Sequence, residues 1–450
     1  MKIRKAVNKM KRKVYLTVKN KFVITISAII LWSLVCMYLE IPWYLMLSEE
    51  THPVLAIFII GFLALLPGIM IVMVICGILL DKPRRTAVDE ELLEDITVLI
   101  AAYNEEAGIY DTLLSLSKQH YPRGLIVKVI DNNSKDNTKS EILRAINDFP
   151  DLDIEYIFEP VQGKYAALNT GLSTVSTRFM ITIDADTWLN EDALIKLVYR
   201  MVYENRNKSV AAIAGTIFVR NSRDSIIAKM QEWDYFMSIA SIKRCQGLFQ
   251  STLVAQGAFS IYDTAAVKAL GGWKDSIGED IVLTWELLSK GYRTYYCDDA
   301  IAFTNVPVKM KVFVRQRTRW ARGLIEGFRH FSFRECTNPY AKFFVFTDLF
   351  LFAIDFGVTF FFIPGLLMAI AFRWFLIVGP MTLLLLPLTV IFFMIMILKE
   401  YRYVFLQTGL KIRKHYPALL LFILTYSLIL SPACIKGYVG ELIGSRRKWK

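Results

Sequence analysis

Hydrophobic and polar positions divide this chain into three blocks. Residues 1 to 21 are basic and polar, and Phe22 to Leu39 is then apolar and uncharged, enough for roughly 27 Å of helix at ~1.5 Å per residue. Glu40 and Pro42 end that run, and the acidic stretch Ser48-Glu-Glu-Thr-His-Pro53 follows. A second run, Val54 to Leu80, leads to Lys82, Arg84 and Arg85. Both runs read as membrane spans; the first is too long for the apolar core of a signal peptide and no small-residue cleavage site follows it.

From about Ala87 to Phe331 the pattern is that of a soluble α/β domain. Short apolar runs, Ile96 to Ala101, Leu125 to Ile130, Ile154 to Phe158 and Phe179 to Ile183, alternate with segments of helical period. The alternation predicts a mostly parallel sheet with helices on both faces, binding ligands at the carboxyl ends of its strands. Lys309 to Arg334 mixes cations with Met310, Phe313, Trp320 and Phe328 and predicts an amphipathic helix at the membrane surface. Phe343 to Phe372, Phe375 to Leu398 and Pro417 to Ile435 are further candidate spans. Asp348 and Asp355 lie seven residues apart, on one helical face of the first of them, where intramembrane carboxylates face a wet cavity or a partner. The expected plan is therefore residues 1–86 with two spans, a domain over 87–308, interface helices over 309–340, and a membrane region over 341–450 with two to four spans.

Composition agrees: 54% of the 450 residues are hydrophobic, too many for an ordinary cytosolic protein. The net charge of +12 does not point to nucleic acid, because nine Lys or Arg fall in the first 21 residues and others flank the apolar runs. That distribution is the positive-inside pattern, with the amino terminus and the domain cytosolic. Five spans would place Arg446-Arg-Lys448 outside, against that pattern, so one late segment is expected to be re-entrant or interfacial. The six cysteines show no metal-binding spacing and read as reduced, and the four histidines show no ligand spacing either.

Polar clusters stand at the ends of all four expected strands. Tyr103-Asn-Glu-Glu106 follows the first, Asp131-Asn-Asn-Ser-Lys-Asp136 the second, Gln162-Gly-Lys164 the third and Asp184-Ala-Asp186 the fourth. Asp184 and Asp186 suit a sugar or base and a divalent cation that bridges a diphosphate, Mg²⁺ or Mn²⁺ by the hardness of oxygen ligands. Taken alone, the same pair is equally a solvated acidic turn. The first strand lacks Gly-x-Gly-x-x-Gly and the chain lacks Gly-x-x-x-x-Gly-Lys-Ser/Thr, which disfavours dinucleotide enzymes and P-loop NTPases.

Downstream come Gln256-Gly-Ala-Phe-Ser260, Gly278-Glu-Asp280 and Gln316-Arg-Thr-Arg-Trp320. With these the chain, over roughly residues 90 to 330, resembles the processive family 2 β-glycosyltransferases: cellulose, chitin and hyaluronan synthases, nodulation chitooligosaccharide synthases and poly-β-1,6-N-acetylglucosamine synthases. The resemblance implies a GT-A-type α/β domain inserted between membrane helices. It implies that Tyr103, Glu105 and Asp131 hold uridine, that Lys164 and Asp184 sit at the donor, and that Asp186 holds Mg²⁺ or Mn²⁺. It makes Asp280 the catalytic base with Glu279 beside it, puts Gln316 and Arg319 at the diphosphate, and gives Trp320 and Gly257 to the acceptor. Two departures stand out. Asn132 replaces a frequent second Asp, and Gly278 replaces a frequent Thr before Glu279, leaving open what supports the base.

The chemistry fits those residues. An α-linked UDP-sugar attacked in line by an acceptor hydroxyl gives a β-glycoside, which needs one base and stabilisation of a departing diphosphate. Trp233-Asp-Tyr235, Ser241 to Gln246 and Val306-Pro307 look most like the poly-N-acetylglucosamine and chitooligosaccharide synthases, implying UDP-N-acetylglucosamine as donor. The implied setting is the inner (plasma) membrane, with a growing polysaccharide, the lipid bilayer and an accessory membrane subunit as partners. A hyaluronan-type synthase, a lipid-carrier glycosyltransferase and a non-catalytic export subunit are the alternatives.

Overall fold

Each of the four apolar runs forms a strand. In the computed structural model, which describes residues 16–82, 88–206, 208–379, 385–405, 408–411 and 415–445, they are β1 (Ile96–Ala102), β2 (Leu125–Asp131), β3 (Asp153–Phe158) and β4 (Phe179–Asp184). These four are parallel and stand in the order β3-β2-β1-β4. Four more, β5 (Thr187–Leu189), β6 (Val210–Val219), β7 (Phe259–Asp263) and β8 (Arg293–Thr304), extend the sheet as β4-β7-β6-β8-β5. Because β7 runs antiparallel between β4 and β6, the sheet is mixed, with its parallel half on the side the sequence anticipated.

The central strands are buried on both faces, which is why β1 and β4 read as unbroken apolar runs while the edge strand β3 alternates. One face is covered by α1 (Ile109–Ser117), α2 (Thr138–Asp148) and α4 (Ala193–Asn205), through Leu113, Ile142 and Leu197 among others. The other is covered by α3 (Lys164–Ser173) and α7 (Glu279–Ser289), through Ala167, Leu168, Leu283 and Leu287. Register then fixes the working edge. Ala102 pairs with Asp131 on one side of β1 and Ala101 with Asp184 on the other, so both carboxylates emerge beside the end of the central strand.

Four helices among the described residues are long and apolar enough to cross a membrane: Val18–Leu39, Pro53–Leu80, Pro339–Phe372 and Tyr416–Leu442. The second and third each widen into a π turn, at Gly61–Leu65 and Val358–Phe362, just ahead of Pro67 and Pro364, which cannot donate to the ordinary helical acceptor. The expected span Phe375 to Leu398 is not one helix. Arg373 turns left-handed (φ 54°), residues 373–379 are non-helical, and the helix Leu385–Glu400 has 16 residues, about 24 Å at ~1.5 Å each against a hydrocarbon core of roughly 30 Å. Asp355 does find a partner: the Tyr438 hydroxyl donates to it at 2.7 Å. The basic clusters at residues 1–15, 84–85 and 446–448 lie outside the described residues.

The amphipathic segment forms α8 (Met310–His330), and Tyr416–Leu442 lies lengthwise along it. Tyr426 packs on Phe313, the Thr318 hydroxyl donates to the Ala433 carbonyl at 3.1 Å, and Glu441 pairs with Arg322 and Arg329 at 2.9 and 3.0 Å. Gly437 allows this approach: a Cβ there would stand 2.5 Å from the Thr318 carbonyl oxygen.

Candidate active site

A cavity of about 500 Å³ opens where β1 and β4 end and α7 meets α8. Eleven of the twelve residues singled out from the sequence line it; Asp131 is the exception. The Asp131 carboxylate, 3% exposed, accepts from the Ser134 N–H (3.0 Å) and the Tyr156 hydroxyl (2.9 Å), so it braces the loop after β2. That loop in turn holds the one after β1: Ser134 receives the N–H of Asn104, and Thr138 that of Glu105. Asn104 sits at φ 53°, a left-handed conformation that Asn tolerates better than most residues, and the turn presents Tyr103 and Glu105 to the cavity.

Asn132 has a structural reason to be an amide. It donates to the carbonyls of Glu159 (3.3 Å) and Val161 (2.6 Å) and accepts from the Gly163 N–H (2.7 Å). A carboxylate could make only the last of these bonds. The loop it holds delivers Lys164, whose Nζ lies 2.6 Å from Asp184 and 3.5 Å from Glu279. Burial alone would lower the Lys164 pKa, but the charges of Asp184 and Glu279 outweigh it and hold the ammonium above its ordinary value. Gly257 makes room for this contact: a Cβ there would stand 2.6 Å from the lysine nitrogen.

Asp186 is differently placed. It accepts from the Thr304 hydroxyl at 3.3 Å, and burial, then the charges of Asp184 and Glu105, push it up to about 7. Mutually repelling carboxylates in a partly buried wall suit a divalent cation. No cluster of three His, Cys, Asp or Glu side chains placed to hold a metal occurs among the described residues. A cation at Asp186 would therefore complete its shell with substrate oxygens and water, as Mg²⁺ commonly does.

Glu279 and Asp280 open α7. Burial raises Glu279 well above its ordinary value against the pull of Lys164. The support left open by Gly278 comes from α8: the buried Glu326 carboxylate accepts the N–H of Ile277 (2.5 Å) and of Gly278 (3.2 Å). A Cβ on Gly278 would stand 2.7 Å from the Gly323 Cα, so the two backbones touch at the crossing. Glu326 escaped the sequence reading. Its signal was an acid between Gly323 and Gly327, on the same helical stripe as Gln316, Arg319 and Trp320.

The same stripe completes the cavity. Gln316 Oε1 is buried without a protein partner among the described residues. Trp320 is 37% exposed, and the Arg317 guanidinium lies 4.2 Å from its ring centroid. Arg317 is itself fixed by Asp234 at 2.8 Å, which also receives the Tyr426 hydroxyl at 2.8 Å. A hollow of this size that brings together acidic side chains, the Lys164 ammonium and an exposed aromatic ring is suited to group transfer between a charged donor and a sugar.

Residues 94–323, just over half the chain, match the family described as Glycosyltransferase like family 2. The chain is 34% identical over 247 residues to a poly-β-1,6-N-acetyl-D-glucosamine synthase of Staphylococcus aureus, covering 54% of this chain and 57% of that protein. It is 32% identical over 238 residues to the synthase of the same name from Staphylococcus epidermidis, covering 52% and 56%. The chain thus spans a little over half the length of these curated relatives. Among solved structures it resembles a mannosyltransferase of Pyrobaculum calidifontis in complex with GDP-mannose and Mn²⁺, with a TM-score of 0.61 at 20% identity over 90% of this chain and 100% of that one. That likeness bears on the fold, which is GT-A-like. With the family match covering the strands, the paired carboxylates and the α7–α8 crossing alike, the chain belongs to glycosyltransferase family 2.

Proposed function

We propose that this protein is a membrane-embedded, processive, inverting transferase that builds a β-linked N-acetylglucosamine polymer from UDP-N-acetylglucosamine. The observation that carries the reading is that Asp280 and Trp320 share one cavity with Lys164, Asp184 and Asp186. The relatives' printed activity, poly-β-1,6-N-acetylglucosamine synthesis, supports the choice of donor.

In this reading Tyr103 and Glu105 receive the uridine, with Asp131 bracing the loop around it. Lys164 and Asp184 orient the donor sugar, and Gln316 and Arg319 face the diphosphate. Asp186 would hold a Mg²⁺ or Mn²⁺ ion, which when bound supplies charge neutralisation to the leaving diphosphate. The acceptor's terminal ring rests on Trp320. Its hydroxyl oxygen bonds to the donor C1 as the bond from C1 to the phosphate oxygen breaks, with inversion. Asp280 takes the hydroxyl proton, and Arg319 adds positive charge beside the departing UDP.

The domain lies on the cytosolic face, where the nucleotide donor is found, and the polymer leaves through the adjoining membrane helices. The test is incubation of purified full-length protein with individual UDP-sugars and a divalent ion, followed by linkage-specific glycosidase digestion. A polymer made from UDP-N-acetylglucosamine and cut by a β-N-acetylglucosaminidase is expected. Polymer from another UDP-sugar alone, or a single sugar added to a lipid, overturns the reading.

A further inference from the structure

Ser241 to Gln246 belongs to a helix, Ala240–Leu248, that follows a π turn at Tyr235–Ile239 and forms one wall of the cavity. Two cations stand next to each other on it and point to different places. Arg244 turns away from the cavity and pairs with Asp81 (2.6 Å) and Asp298 (2.8 Å), tying the wall to the end of Pro53–Leu80 and to β8. Lys243 lines the cavity. It is 9% exposed, and among the described residues it makes neither a hydrogen bond nor an ion pair.

An amine that is nine-tenths buried without a partner is costly unless a ligand supplies the acceptor. The other lysine of the cavity, Lys164, is already committed to Asp184 and Glu279. Position says which ligand Lys243 meets. The charge of Asp280 reaches it. Its neighbours along the wall are Tyr235, Ile239 and Ala240, and the Tyr235 ring lies 6.4 Å from that of Trp320. Lys243 thus shares a wall with the residue that faces the aromatic platform, within reach of the charge of Asp280. Burial pushes its ammonium down to about 7 against the pull of Asp280, and it keeps an N–H to donate in either protonation state.

We propose that Lys243 is an acceptor-binding residue, donating a hydrogen bond to a hydroxyl or amide oxygen of the terminal acceptor sugar while Asp280 faces the hydroxyl that reacts. The inference rests on the transferase reading above and adds a polar contact to the stacking surface of Trp320.

The test uses full-length protein in detergent or nanodiscs, UDP-N-acetylglucosamine as donor and a short β-linked N-acetylglucosamine oligosaccharide as acceptor. Lys243→Met keeps length and removes the donor group. Its acceptor KM should rise roughly ten- to hundred-fold, the worth of a hydrogen bond to a charged group. The Kd for UDP and the donor KM should stay within about twofold, and Lys243→Gln, which still donates, should recover much of the loss. An unchanged acceptor KM in Lys243→Met overturns the inference, as does an equal loss of UDP affinity, which would assign the lysine to the diphosphate. Loss of UDP binding in both variants would assign it to the fold and overturn it too. Wild-type protein that transfers no sugar overturns the functional reading itself.

Discussion

The carboxylate of Glu326 accepts the backbone N–H of Gly278, so the helix that carries Trp320 also holds the start of the helix that carries Asp280. In the proposed function, base and acceptor platform would therefore be positioned by one crossing. Glu326→Gln keeps one acceptor oxygen but turns a charge-assisted bond into a neutral one. It should lower kcat about tenfold, close to the roughly 1.5 kcal/mol lower bound for a bond to a charged group, and leave UDP affinity within about threefold. Steady-state rates with calorimetric UDP titration check this; equal losses in both would show a general loosening instead. Gly323→Ala should be worse, because a Cβ there meets the Gly278 Cα at 2.9 Å and backbone cannot swing aside.

Asp280→Asn preserves shape but cannot take the acceptor's proton. Sugar transfer should fall by about 10²–10⁴-fold with metal-dependent UDP binding retained. Asp186→Asn should differ by weakening the metal-dependent part of UDP binding as well. Transfer by Asp280→Asn above about a tenth of the wild-type rate would exclude Asp280 as the base.

Trp320→Ala should abolish polymer while UDP affinity stays within a few-fold, as expected of a ring that supports the acceptor in the proposed function. Product length on gels, with UDP titrations in parallel, tests this. Polymer of normal length and yield would remove Trp320 from the site.

Asn132→Asp would forfeit two donated bonds and place a second charge beside buried Asp131. A loss of about 2–4 kcal/mol of stability is expected, with weaker donor binding because the loop before Lys164 loosens. Thermal melts and donor KM measure the two effects. A variant as stable as wild type would show that water or a cation takes over the amide's bonds.

How much of this was legible before the structure depended on how local the cause was. Strands β1 to β4 were readable because burial on both faces makes unbroken apolar runs, and their polar ends pointed at once to one edge of a sheet. The antiparallel entry of β7 was not, since Phe259–Asp263 is five residues long and its place between β4 and β6 is a long-range pairing. The span drawn over Phe375 to Leu398 is not one helix because residues 375–379 are non-helical, a local event that apolar composition hides. Most of the site was visible as motifs. Glu326 was not, and Lys243 stood only within the family-like stretch Ser241 to Gln246 with no role of its own; charged residues in helices usually face water, and only the crossing of α8 with α7 and the wall formed by Ala240–Leu248 reveal that these two do not.

The pairing of Tyr416–Leu442 with α8 has a mechanical consequence. The two are fastened at three heights, by Tyr426 on Phe313, by Ala433 to Thr318 and by Glu441 to Arg322 and Arg329, so neither can tilt or slide alone. A helix apolar enough to cross a bilayer adjusts its tilt to hydrophobic thickness, at fractions of a kcal/mol per Å of mismatch. Such an adjustment would be carried directly into the rod that bears Gln316, Arg319 and Trp320. On the membrane-embedded reading proposed above, acyl-chain length would be a control on turnover, and the surrounding lipid a working part of the active site.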